Sequence, residues 1–502
     1  MWQAEVPDGA KPLGYKKLVE FFNVTAVSHF CLSYASPKNE KCILHFSDKN
    51  LILHIYPSSY YLIDGVFEHL EFALKNEGLN LYILKKVLNR ISPSDITDYI
   101  KKKPTGKYAR VLWYLYEEFN GSRLELPDLN QGSYVNLLNS DQYYTGKPIR
   151  RARQRIAVNL LGNLSFAPLV RKTVLLKKFE AKQVQESAKL LATQYDPALL
   201  ARAMMYLYTK ETISSWEIER EKPDNAKLAK FVGLLHKADS IGVLSEDTFV
   251  NLQKNIVDPR FALDSYRDFQ NYVGEEPSMN HLILHYISPR PENVKDLMNG
   301  LIHSFDLMEK SNTDPVVVAA VLSFLFVFIH PFEDGNGRIH RFLIHYVHAR
   351  LKFTPEGIVF PVSAAIARNI HLYDKTLETF SKPLMELITD YKIDDTGEMK
   401  VLQETEDFYC YIDLTPMAEY LYECVDRTML TDFQEELAFL ADYDNIKRLC
   451  KDIIDMPDQR MDLFIRCVRQ NEGKLSLRKK ESHFDMLTDE EILKMEKIIR
   501  DK

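Results

Sequence analysis

Several things are missing from this sequence. Its six cysteines (Cys31, Cys42, Cys410, Cys424, Cys450, Cys467) form no Cys-x-x-Cys pair, which points to free thiols in a reducing compartment. No apolar run reaches the roughly 20 residues that a membrane-spanning helix needs; the longest, 315–329, reads as a buried helix. Met1 to Lys11 carries Glu5 and Asp8 and no apolar centre, so no signal peptide is expected. Positive charge is not in excess: 64 Lys and Arg against 71 Asp and Glu leave −7, which argues against a general nucleic-acid or membrane-surface binder. Internal repeats and low-complexity tracts are absent. These absences predict a cytoplasmic protein with no membrane partner.

What is present is globular: 46% hydrophobic and 27% charged residues are ordinary values. A chain of 502 residues is too long for one core, so two to four domains are expected.

The chain is organised around His330-Pro331-Phe332-Glu333-Asp334-Gly335-Asn336-Gly337-Arg338-Ile339-His340-Arg341. An apolar segment precedes it and an amphipathic one, 342–351, follows. Gly-Asn-Gly suits no helix interior, so the stretch reads as helix, tight loop, helix. Gly335 and Gly337 are expected at positive φ, letting backbone N–H groups converge on an anion at a helix start. Arg338 and Arg341 share one face of that helix and complete a phosphate cradle. Asp334 offers a hard oxygen suited to Mg²⁺ shared with phosphates. His330 is the nearby proton acceptor.

These residues resemble the signature of Fic-domain proteins, His-Pro-Phe-x-Asp/Glu-Gly-Asn-Gly-Arg-x-x-Arg, with every fixed position filled. The resemblance implies a mostly α fold: a Fic-type helical core with a β-hairpin flap, here with largely helical N- and C-terminal accessory regions. It implies transfer of AMP from ATP, with Mg²⁺, to a hydroxyl of a target protein, the enzyme itself included. His330 would be catalytic and Asp334 would hold the metal. Phe332, Gly335, Asn336, Gly337, Arg338, Ile339, His340, Arg341 and Tyr373 would form the nucleotide site, with a core position as the alternative for Tyr373.

Many Fic proteins also carry an inhibitory helix with Ser/Thr-x-x-x-Glu-Gly/Asn. Ser215 and Glu219 have that spacing near 205–221, but Arg220 stands where Gly or Asn is usual. A carboxylate paired with Arg341 would occupy the cradle and turn a triphosphate out of line. In some relatives the equivalent acid also helps remove AMP. Residues 281–287, closed by Pro289-Arg290-Pro291, fall where the family has its target-docking flap; Leu282, Ile283, Leu284 and His285 are its candidates, with a plain loop as the alternative.

The rest predicts an N-terminal region 1–120, a connecting arm and helices 121–194, the Fic domain 195–390 and a C-terminal helical region 395–502. Lys41–Phe46 and Leu51–Tyr56 read as a hairpin or as buried helix ends. Helices are expected from Tyr61 on, including aromatic-rich 106–120, whose stripe reads as core. Strands are expected at Met399–Leu402 and Phe408–Ile412. Arg150, Arg151, Arg153 and Arg155 read as a solvated helix start, or as pairing with acids of a neighbouring domain, rather than as a nucleic-acid patch. His340, His345 and His348, at i, i+5 and i+8, do not share the face a zinc site requires. Two alternatives stay open: a Fic-fold transferase with another nucleotide donor, and a non-catalytic regulatory or nucleic-acid-binding module. Homo-oligomerisation is also left open.

Overall fold

A computed structural model describes residues 6–39, 41–46, 51–278, 281–355 and 357–501. The chain opens with β1 (Lys11–Leu13), α1 (Gly14–Phe22), β2 (Cys31–Ala35), β3 (Cys42–Phe46) and β4 (Leu51–Tyr56). They make a four-stranded sheet in the order β1-β2-β4-β3. The expected hairpin is there: β3 lies antiparallel to β4 with Cys42 opposite Ile55. Leu51, Leu53 and Ile55 are buried, the period-two pattern of a strand with one covered face.

Four helices follow: α2 (Val66–Asn76), α3 (Leu81–Leu88), α4 (Pro93–Lys102) and α5 (Lys107–Asn120). The side chains of Asn80 and Ser92 accept from the N–H groups of Ile83 and Asp95, capping α3 and α4. Trp113, Tyr114 and Tyr116 of α5 are buried core. The stretch expected as a connecting arm is instead built into this body. Leu124, Leu137, Leu138, Ile156 and Leu169 share its core, and β5 (Val135–Asn136), β7 (Ile156–Val158) and β6 (Ile149–Arg151) pair in that order. Burial of these apolar residues overrides the turn-rich composition. Arg153 pairs with Glu117 at 2.8 Å and Asp128 at 2.5 Å, and Arg155 lies over Tyr134.

The largest core reaches from Tyr144 to Leu437. It gathers α6 (Val174–Ala181), α7 (Val184–Gln194), α8 (Pro197–Glu217), α9 (Asn225–His236), α10 (Glu246–Ile256), the hairpin β8 (Tyr272–Ser278) and β9 (His281–Ile287), α11 (Pro291–Lys310), α12 (Pro315–Ile329), α13 (Asn336–Arg350), α14 (Val362–Arg368) and α15 (Ile370–Met385). Helix α12 is apolar all round and buried on nearly every side, as such a helix must be. Asp314 caps it and Pro315 opens it.

A small hairpin, β10 (Tyr391–Ile393) with β11 (Met399–Val401), comes next. Phe408–Ile412, expected as a strand, lies instead mostly in a short helix, α16 (Glu406–Cys410). The two acids in its first turn favour a helix start, and the Tyr409 hydroxyl donates to the Ile287 carbonyl at 2.6 Å. Then come α17 (Thr415–Arg427), a π-helical turn over Thr428–Phe433, and α18 (Gln434–Lys451). The C-terminal region divides here. Ile446, Cys450, Phe464 and Met495 form a separate core with α19 (Asp458–Gln470), α20 (Leu477–His483) and α21 (Asp489–Arg500). No described helix is long and apolar enough to cross a membrane.

Candidate active site

Helix α12 ends on His330, which takes the left-handed conformation at φ 53° and donates its N–H to the Phe326 carbonyl. Its Nδ1 lies 3.1 Å from the Val327 carbonyl oxygen. A carbonyl only accepts, so this contact assigns the proton to Nδ1 and leaves a lone pair on Nε2. Burial, with the Arg267 guanidinium adding to it, lowers the His330 pKa to about 4. The imidazole is therefore neutral at neutral pH, the form a proton acceptor needs.

Arg267 braces this corner, and nothing in its own sequence neighbourhood marks it. It is buried. Its N–H donates to Pro331 O at 2.9 Å and its Nε to His330 O at 2.8 Å. Its Nη1 donates to Phe269 O at 2.6 Å and its Nη2 to Ser288 Oγ at 2.9 Å and Pro289 O at 2.7 Å. Burial lowers its pKa to about 10, so it stays charged while tying the base of the β8–β9 hairpin to the histidine.

Gly335 is left-handed at φ 87°, and a Cβ there would meet Val257 at 2.7 Å. Gly337 corrects the expectation of positive φ: it lies in the first turn of α13. What it supplies is room, because a Cβ would stand 2.3 Å from Glu219 Oε1. The N–H groups of this first turn have no intrahelical acceptor.

The side chains of five expected nucleotide contacts are placed as follows. Asn336 accepts from Phe332 N at 3.1 Å and donates to Phe332 O at 2.8 Å, so its amide shapes the loop. Phe332 is buried between Tyr266 and Phe326. Ile339 and His340 are core residues; His340 sits edge-on to Phe324, with its pKa lowered to about 3 by burial. Tyr373 is buried too, but its hydroxyl meets the Arg341 guanidinium, at the edge of the cradle. An amphipathic reading could not tell the cradle face of α13 from its core face, because α13 is covered nearly all round.

Both arginines converge with the upstream motif. Arg341 donates from Nε to Ser215 Oγ at 2.8 Å, and from Nη2 to Ser215 O and Glu219 Oε1, each at 2.7 Å. Arg338 pairs with Glu219 Oε2 at 2.8 Å, Asp334 Oδ1 at 2.7 Å and Glu221 at 3.6 Å. The two guanidiniums are only 3% and 2% exposed, and Glu219 is 25% exposed. One carboxylate thus spans both arginines, where the spacing alone pointed to Arg341. Glu219 lies just past the end of α8, and Arg220 turns the chain at φ 59°. That conformation is the one glycine and asparagine reach most easily, which accounts for the usual residue of the motif.

Helix α8 is fixed further back by buried Glu211, which pairs with His345 Nε2 at 2.7 Å and accepts from Ser363 N at 2.8 Å. In the hairpin, β9 pairs Ile283 with Glu275 and Leu284 with Gly274. Ile283 and His285 are exposed while Leu284 packs towards the core; the side chain of Leu282 lies outside the described residues. Asp334 is half-exposed. Among the described residues no cluster of three metal-ligating side chains occurs, so His340, His345 and His348 do not assemble a site.

The Fic/DOC family model matches residues 243–348. A protein adenylyltransferase Fic of Nematostella vectensis is 27% identical over 129 residues, covering 25% of this chain and 27% of that protein. A Fido domain-containing protein of Dictyostelium discoideum is 40% identical over 73 residues, 14% of this chain and 48% of that protein. The chain spans about a quarter of the first relative's length and about half of the second's. A solved Fic-domain-containing signalling protein of Bacteroides thetaiotaomicron is 22% identical with a TM-score of 0.38, covering 51% of this chain and 96% of that one. With the signature intact and the family match laid over the same loop and helix, residues 243–348 form a Fic/DOC-type domain.

Proposed function

We propose that this protein is an adenylyltransferase that moves AMP from ATP to a Ser, Thr or Tyr hydroxyl of a target protein, and that Glu219 restrains it. The observation that carries the reading is the pair of buried guanidiniums on α13, bridged by one carboxylate from the turn that follows α8. Two buried cations facing a helix start are suited to a polyphosphate, and the acid stands where its β- and γ-phosphates would lie.

In this reading Arg338 and Arg341 hold the β- and γ-phosphates once Glu219 swings away. The target hydroxyl attacks the α-phosphorus, His330 Nε2 takes its proton, and the bond from the α-phosphorus to the bridging oxygen breaks to release pyrophosphate. The Val327 carbonyl holds the ring and its tautomer in place. Asp334, a half-exposed hard oxygen donor, fits a Mg²⁺ that would offset phosphate charge. The exposed edge around Ile283 and His285 suits a target segment added as a strand.

The test is incubation with ATP labelled at the α-phosphate. Glu219→Gly is expected to raise self-labelling at least tenfold over wild type, and His330→Ala to abolish it. Label arriving from the γ-phosphate instead, or His330→Ala labelling as well as wild type, would overturn the assignment. Competition by unlabelled UTP and GTP identifies the donor.

A further inference from the structure

Residues 142–179 hold nine lysines and arginines and no acid, and the transfer chemistry uses none of them. The overall charge of −7 hides this, because it sums distant surfaces. The densest part, 147–155, is not a helix start. It is β6, the edge of the three-stranded sheet, with the turn that leads into β7. Of its cations, Arg153 alone pairs with acids among the described residues, namely Glu117 and Asp128. Lys147, Arg150 and Arg151 are exposed.

These cations are held in place. Buried Arg110 of α5 donates from Nε to Gln154 O at 2.8 Å, and from Nη2 to Ser133 O at 2.9 Å and to Arg155 O, which fixes the turn to α5. Arg150 and Arg155 stand 5.1 and 4.8 Å from the centre of the Tyr134 ring. Arg155 also donates to Gly132 O at 2.5 Å, and Arg151 reaches the Tyr114 hydroxyl. Burial and the like charge of Arg155 lower the Arg110 pKa, so the positive potential is not cancelled locally. Helix α5 starts at Lys107, one turn before Arg110, and Lys101 and Lys102 end α4 just upstream. These lysines are exposed and make no ion pair among the described residues. Acids at the border include Glu71, taken by Lys103, the two taken by Arg153, and Glu118 beside Tyr114.

A protein partner would need an apolar centre to desolvate, and Ile149 is the one large apolar side chain exposed in 147–155. Guanidiniums already occupy the Tyr134 ring, so it is not a free platform for unpaired bases. Successive strand residues point to opposite faces, so Arg150 and Arg151 place cations on both sides of an edge ribbon. An element lying between the two phosphate rows of a groove needs that arrangement.

We propose that this edge binds the phosphate backbone of duplex DNA without sequence preference, with Arg150 and Arg151 as the main contacts and Lys101 and Lys102 flanking them. The surface does not rest on the function proposed for the cradle.

Fluorescence anisotropy of the full chain with a labelled DNA duplex of mixed sequence, without nucleotide, tests it. Saturable binding is expected, with log affinity falling against log salt at a slope of about −3 to −4 for four cations. Arg150→Gln with Arg151→Gln should weaken binding at least tenfold and flatten that slope by about 2. Lys101→Gln with Lys102→Gln should weaken it at least threefold, and decides the matter if the arginine pair does not fold. Arg478→Gln with Lys479→Gln, the same charge change on exposed residues of α20, should leave binding unchanged, as should Arg341→Ala, which disables the cradle. The proposal is overturned by no binding at low salt, by unchanged binding in the arginine pair, or by an equal loss in the α20 pair or in Arg341→Ala. Polyglutamate or single-stranded DNA of equal charge competing as well as the duplex would also overturn it.

Discussion

Glu219 touches two cations at once, and most consequences at the residue scale follow from that. Its removal leaves Arg341 with Ser215 and the Tyr373 hydroxyl and strips Arg338 of one acid. Because the carboxylate is a quarter exposed, the loss falls between a surface pair and a buried one, on the order of 1–3 kcal/mol. Glu219→Gly should therefore melt lower than wild type, and added pyrophosphate should recover much of the difference by binding the freed guanidiniums. Gly337 makes a second prediction. Alanine suits a helix better by about 1 kcal/mol, yet its Cβ would sit 3.2 Å from Arg341 Nη1 and inside the space that Glu219 fills. Gly337→Ala in the Glu219→Gly background should therefore lose the gained labelling while remaining folded. His330, Arg338, Arg341, Ser215 and Glu219, which the structure gathers at the candidate site, were legible because local spacing fixes them. Arg267 was not, since its partners lie up to 64 residues away along the chain and only folding collects them.

At the scale of elements, the question is what keeps α8 in place. Besides Glu211, Lys210 donates to Asp432 at 2.6 Å, and Arg368 of α14 pairs with the same carboxylate. Asp432 is buried in the π-helical turn that joins α17 to α18. Arg202 of α8 adds a two-oxygen contact to Asp444 of α18, at 2.8 Å to each. Asp432→Asn removes the one negative charge that both cations of that clamp share and should raise basal self-labelling several-fold, but not beyond Glu219→Gly. Combined with Glu219→Gly it should add nothing, because both act on one restraint. The helices around the site were readable from apolar periodicity, whereas the caps that Asp196 and Asp314 supply emerge only in the structure. The 408–412 segment was not, because a short apolar run fits a strand or a buried helix equally.

At the scale of the whole molecule, buried histidines set the acid limit. His29, His340 and His348 are held near pKa 4, 3 and 3 by burial, below the 6.5 of the unfolded chain. Between those values the unfolded state binds protons that the folded state refuses. Their contribution is complete above pH 6.5 and is lost as pH falls towards 3, at about 1.4 kcal/mol per pH unit for each proton. Glu77, raised to about 8 by burial, acts in the opposite sense between 4.5 and 8. Urea midpoints should accordingly fall steeply below pH 6, and His29→Gln should flatten that slope if it folds. The size of the cores was not legible in the sequence, because a region's partners depend on tertiary burial. Residues 121–169 and 399–437 each joined a body whose residues lie far off in the chain.

Helix α18 begins in the large core at Leu437 and ends in the small one at Ile446 and Cys450. It is therefore a rod with one foot in each, and it touches α8 midway through Asp444. If Glu219 restrains transfer as proposed, tilting the terminal helices would pivot that rod and tug on the very helix whose end carries Glu219, gearing the far end of the chain to the restraint.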